Sequence, residues 1–217
     1  MGGGRGATTV GLALCIQTRG GRHPRRSGNL IYYSIAAVRA GRETGRVAAV
    51  SKPQFQVSVR DLVEFALRTG DLAGGGDFVG PNRALAGTRG HQRLQRSRPA
   101  GYEKEVRVSH DMETDEFILR IQGRIDGLLI TPEETMLEEI KTVQGRWDGV
   151  ADALHWGQAK CYGYIHSRDK GLERLAIRLT YLELDTGKLT EFQEQFAFAE
   201  LSAFFNEAVT IYLEWIQ

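Results

Sequence analysis

The chain has 217 residues, 41% hydrophobic and 25% charged, with a formal net charge of +1, which suits one globular domain with a core and an appendage. Its two cysteines, Cys15 and Cys161, stand far apart, so the chain alone can assemble neither a disulfide framework nor a cysteine-built zinc or iron–sulfur site, and a reducing, cytoplasmic compartment is expected. No apolar run approaches the roughly 18 residues that cross a membrane, and Gly11 breaks the longest candidate, Thr8 to Ile16, so no membrane association is expected.

The small net charge hides an asymmetry. Residues 1–52 carry nine basic residues against one acid, Glu43, a charge of +8, which leaves −7 for residues 53–217. This head is rich in glycine and arginine and lacks a sustained period apart from an apolar patch from Leu30 to Val38, so it is expected to be a disordered or non-native extension. A basic arm that grips nucleic acid is the functional alternative. From Ser58 the text becomes periodic. Ser58 is a plausible helix N-cap, and Leu62, Val63, Phe65, Ala66 and Leu67 form a helical stripe expected to end at Gly70. A glycine loop, Gly74 to Gly76, follows, and Pro81 suits the first turn of a second helix running to about Arg96.

Between Tyr102 and Thr142 the period shifts toward two. Strands are expected around Val106 and Val108, from Phe117 to Gln122, from Ile125 to Ile130, and, after the turn at Thr131 to Glu134, from Met136 to Thr142, as an antiparallel meander. Residues 151–166 return to a helical period, Leu175 to Leu184 and Lys188 to Phe198 read as a strand pair, and Leu201 to Trp215 as a last helix. This order predicts an α+β fold, a mixed central sheet flanked by helices.

The segment that carries chemistry is Gly123-Arg124-Ile125-Asp126-Gly127, followed thirteen positions after the aspartate by Glu139-Ile140-Lys141. On a strand, residues two apart share a face, so Glu139 and Lys141 project together, and a hairpin would set Asp126 beside them on a sheet whose other face is apolar. Two carboxylates and an ammonium in one small space suit Mg²⁺ or Mn²⁺ and the polarisation of a phosphoryl group. Any of these residues alone is more often part of a solvated face.

The ordered set resembles the PD-(D/E)xK nuclease superfamily, and within it the RecB-like branch: a histidine on an early helix (His91 in Gly87-Thr88-Arg89-Gly90-His91), a G-x-x-D strand (Gly123 to Asp126), a (D/E)-x-K strand (Glu139 to Lys141) and a glutamine–tyrosine helix (Gln158 to Tyr162). The resemblance covers about residues 58–200 and implies a restriction-endonuclease-like core over 53–217. It also implies a divalent-metal-dependent deoxyribonuclease, an exonuclease acting on single-stranded or flap DNA in repair or recombination. The metal ligands it implies are His91, Asp126, Glu139 and the Ile140 carbonyl, with Lys141 catalytic. The segment is similar, too, to the nuclease module placed N-terminally on some DinG-like superfamily-two helicases, which implies a helicase domain or subunit as a partner. The alternative is a nuclease-fold module that grips DNA for a helicase with little or no cleavage.

Gln158 and Tyr162, four apart, share a helical face and are candidates to reach phosphate or base. Trp147, in a polar loop, is the candidate for stacking on an unpaired base, while Trp156 is expected in the core. Glu103 and Glu105 could assist a second metal, but a solvated edge is the preferred reading for both.

Overall fold

The computed structural model describes residues 52–67 and 81–216. The apolar patch Leu30 to Val38, the head apart from Lys52, Gly70 and the Gly74–Gly76 loop lie outside the described residues. Lys52 itself belongs to the body, because its ammonium meets Glu113 at 2.7 Å and the Thr114 carbonyl at 2.7 Å.

The fold is mixed α+β: a six-stranded sheet with four helices. The elements are β1 (Gln54–Ser58), α1 (Val59–Ala66), α2 (Pro81–Ser97), β2 (Tyr102–Glu113), β3 (Ile118–Ile130), β4 (Thr135–Val143), α3 (Ala153–Lys170), β5 (Arg174–Glu183), β6 (Leu189–Ala197) and α4 (Phe198–Ile216). Ser58 caps α1 as its sequence predicts, its hydroxyl accepting the Asp61 N–H at 3.0 Å, and Val59, Leu62 and Val63 are buried. The helix stops at Ala66, short of Gly70. Asp152 caps α3 through the Leu154 N–H at 2.8 Å. Helices α1, α3 and α4 pack on one another and on the sheet, and α2 lies against β4. Leu62, Ile121, Ile125, Leu137, Ile165, Ile177 and Phe205 are all but inaccessible to solvent at the centre of the core.

Two expectations about strands need correction. The runs Phe117 to Gln122 and Ile125 to Ile130 are one continuous strand, β3, so the meander has three strands. Gly123 is not a break. A Cβ there would fall 2.5 Å from the Tyr162 ring, so the glycine is a seat for that ring within an unbroken strand. Strand β1 was not foreseen; it pairs in parallel with the first half of β3, Gln54 with Ile118 through Ser58 with Gln122.

The pairing of β3 positions everything that follows. One edge carries β2 along its length, Tyr102 opposite Leu129 through Glu113 opposite Ile118. The other edge is shared: β1 pairs up to Gln122, and β4 pairs only from Gly127 opposite Glu138 to Ile130 opposite Thr135. Residues 123–126 lie in the gap between those ladders. Strand β4 then diverges and runs parallel with β5, Met136 opposite Ala176 through Val143 opposite Glu183, so the sheet forks at Asp126 and Glu139.

The far face of β4 is not the apolar one that the sequence predicts. Glu138 is fully buried there, ion-paired with Arg98, which follows α2, and bonded by the Tyr102 hydroxyl at 2.6 Å and by Thr180. Arg98 also reaches Glu191 at 2.7 Å, so this network ties the end of α2 to β4, β5 and β6. Among the described residues no helix is long and apolar enough to cross a membrane.

Candidate metal centre

At the fork, the Asp126 carboxylate takes over from the missing ladder. Its Oδ2 accepts the Ile140 N–H at 2.8 Å, while Oδ1 lies 3.5 Å from His91 Nε2 on α2. Glu139, across the gap, is buried. Its Oε1 meets Lys141 Nζ at 2.8 Å, and Oε2 has no hydrogen-bond partner among the described residues. Lys141 donates onward to Gln158 Oε1 at 2.8 Å, which fixes its ammonium between β4 and α3. Tyr162, one turn along α3, lies over Gly123 and receives a hydrogen bond from the Arg124 backbone.

His91, Asp126, Glu139, Ile140, Lys141, Gln158 and Tyr162 therefore all border the fork. Trp147 does not enter it. Its ring stacks on Tyr181 at 4.6 Å between centroids, with one face covered by that contact. Trp156 is half-buried, edge-on to Phe196.

Sequence reasoning placed Glu105 on a solvated edge, and the structure brings it in. His91, Glu105 and Asp126 each offer a ligand atom within 4.8 Å of one another. Glu139 stands outside that tight group, drawn toward Lys141. Glu105 is also the one described non-glycine residue with positive φ, +60°. Lys104 pairs with Gly127 and Val106 with Ile125, but the Glu105–Asp126 pair between them is not part of the ladder. Across this point the buried positions of β3 change parity, from Ile121 and Ile125 to Leu128. A left-handed residue costs of order 1–2 kcal/mol outside glycine, and here it turns the Glu105 carboxylate toward the cluster.

Gln95 is a second residue without an advance signal beyond its place four after His91. It is buried, and its amide nitrogen donates to Glu105 Oε1 and to the Asp126 carbonyl, each at 2.8 Å. Those two bonds use both amide hydrogens. Gln95 therefore braces α2 against β2 and β3 while His91 Nε2, 3.3 Å away, is left to its other neighbours.

Burial governs the electrostatics. It raises the Asp126 carboxyl to about 6, against the opposing Ile140 hydrogen bond and the Lys141 charge. It raises Glu139 to about 7, with the Asp126 charge adding and Lys141 opposing. Burial lowers His91, which keeps its imidazole neutral, the form that binds metal. Two carboxyls raised first by desolvation, Asp126 also by the Glu105 charge and Glu139 also by the Asp126 charge, one with a buried oxygen unpartnered among the described residues, are the signature of a site short of positive charge.

Two clefts open on either side of His91. One, of about 460 Å³, is lined by Arg60, Lys141, His155 and Gln158; the other, of about 540 Å³, by Gln95, Arg96, Lys104, Glu105 and Arg124.

No family profile matches the chain, and no curated protein matches it. Among solved structures, the crystal structure of SSO0001 is similar over 72% of this chain and 76% of that one, at 19% sequence identity and a TM-score of 0.48. At that distance the similarity bears on neither family nor activity.

Proposed function

We propose that this chain is a divalent-metal-dependent deoxyribonuclease of the PD-(D/E)xK type that hydrolyses phosphodiester bonds, with single-stranded or flap DNA as substrate. The observation that carries the reading is the fork itself. Asp126 and Glu139 flank a break in the sheet where one carboxylate oxygen lacks a partner among the described residues, and Lys141 stands 2.8 Å from Glu139.

The donors fit Mg²⁺ or Mn²⁺: hard carboxylate oxygens with one imidazole and no thiolate. His91, Asp126, Glu139 and the Ile140 carbonyl would hold the ion, and Glu105 joins them as a further oxygen donor. A cation bound there polarises the phosphoryl group and makes water a stronger nucleophile. Lys141, held by Glu139 and Gln158, places a fixed ammonium where negative charge develops on phosphorus. Asp126 positions β4 against β3 through Ile140, so the same side chain orients the site and contributes a ligand.

Arg96 and Lys104 in the second cleft suit a phosphate backbone, while Arg124 there pairs through Nε with Glu105 at 2.5 Å. A helicase domain or subunit as partner remains part of the proposal. The test is cleavage of end-labelled single-stranded, flap and duplex DNA with Mg²⁺, Mn²⁺ or EDTA. Metal-dependent loss of the single-stranded label supports the reading, and no cleavage of any substrate at any metal concentration removes it.

A further inference from the structure

We infer that the cleft beside Lys141 is a phosphate subsite in which the Nε2–H of His155 and the guanidinium of Arg60 take the non-bridging oxygens of a nucleic-acid phosphate. Which phosphate of the strand sits there rests on the nuclease reading; the binding itself does not.

The argument begins behind the cleft. The Tyr181 side chain is buried, and its hydroxyl oxygen accepts the Asp152 N–H at 2.9 Å. The hydroxyl hydrogen then needs an acceptor, and among the described residues the group in reach is His155 Nδ1 at 2.8 Å. That assignment makes Nδ1 the acceptor and leaves the ring hydrogen on Nε2. Trp147 stacks on the far side of Tyr181 and holds the phenol in place. Burial and the Lys141 charge lower His155 to about 4, so the ring stays neutral at physiological pH and presents one N–H donor.

His155 lines the cleft with Arg60, Lys141 and Gln158. Arg60 is anchored through Nε to Glu64 at 2.7 Å, which leaves its terminal nitrogens for a ligand. Glu64 also lines the cleft, but that ion pair balances its charge. The remaining groups are a fixed donor, a guanidinium and an ammonium around one opening, a set that matches a tetrahedral oxyanion. Since Lys141 belongs to both this cleft and the fork, the subsite adjoins the cluster and suits the phosphate next to the one cleaved.

The experiment uses the whole chain, metal-free in EDTA. Inorganic phosphate, a deoxynucleoside 5′-monophosphate and a short single-stranded oligonucleotide are titrated in by calorimetry, with the His155 side-chain ¹H–¹⁵N signals recorded alongside. Expected are an Nε2–H tautomer, movement of that signal on titration, and tighter binding of the two nucleotide probes than of inorganic phosphate. His155→Ala should weaken binding about tenfold or more, the scale of one hydrogen bond to a charged group. His155→Gln, which keeps an N–H near the Nε2 position, should stay within about threefold of the parent. Tyr181→Phe should release the tautomer and weaken binding without moving Arg60. The wild-type spectra decide the matter even if a variant fails to fold. A silent His155 signal, or parental affinity in His155→Ala, overturns the proposal, and equal affinity for free phosphate overturns its nucleic-acid part. Phosphate binding through His155 without DNA cleavage would sink the nuclease reading alone; cleavage without it would sink the subsite alone.

Discussion

Loading a cation against Asp126 and Glu139 means expelling the protons that burial has raised onto them. With carboxyls at about 6 and about 7, both are largely protonated at pH 5.5 and largely ionised at pH 8. Multiplying the two protonation factors gives an apparent affinity for Mn²⁺ roughly 100-fold tighter at pH 8 than at pH 5.5. His91 adds little, because its own shift is downward. The sign for stability follows from the same shifts. A carboxyl raised on folding contributes stability below its unfolded value of 3.8 or 4.5, and that contribution is lost as pH rises through about 6 and 7. The metal-free protein should therefore lose stability over that window and Mn²⁺ should restore it. Calorimetric titration of Mn²⁺ at half-unit pH steps, in buffers of different ionisation enthalpy, reads both affinity and proton release. Asp126→Asn and Glu139→Gln should each remove one part of the pH dependence. Affinity that stays flat from pH 5.5 to 8, or metal bound without release of protons, would refute the reasoning.

Lys141→Ala keeps all the proposed ligands, so cleavage should fall about 10²-fold or more while Mn²⁺ affinity changes little; parental cleavage rates would dismiss its role. Arg98→Ala strands the buried Glu138 and should cost about 3–5 kcal/mol in urea unfolding, with weaker metal binding because α2 loses its tether; an unchanged midpoint would contradict this. Gly127→Ala places a Cβ 1.7 Å from the Tyr102 hydroxyl and should cost about 1–3 kcal/mol as an overpacked site, and it should cost less in a Tyr102→Ala background, where only the Glu138 hydrogen bond is already lost. If Gly127→Ala costs as much in that background as in the parent, that contact is not the source of the strain.

The Ser58 cap made α1 legible, and periodicity did the same for α3 and most strands, because a cap and the alternating apolar residues of β3 and β5 act locally. The approach of Asp126 to Glu139 was legible too, since a tight turn at Thr131 to Glu134 dictates the register that pairs Gly127 with Glu138. Strand β1 was not, being five residues of which only Val57 is buried. Glu105 was misplaced because alternation assumes an extended backbone at every step, and its positive φ breaks that assumption. Gln95 and Arg98 act over distances of 31 and 40 residues in sequence, and no local pattern announces such contacts.

The fork also has a mechanical consequence. The strands divide into two sets of three, β1 to β3 and β4 to β6, and the ladder between the sets is four residue pairs long. Such a seam is compliant to twisting and opening in a way that the long β2–β3 and β4–β5 ladders are not. A cation coordinated from both sides of the fork would act as a rivet at the end of that seam. Amide hydrogens along Gly127–Ile130 and Thr135–Glu138 should then exchange more slowly when metal is bound, while those of β5 and β6 keep their rates.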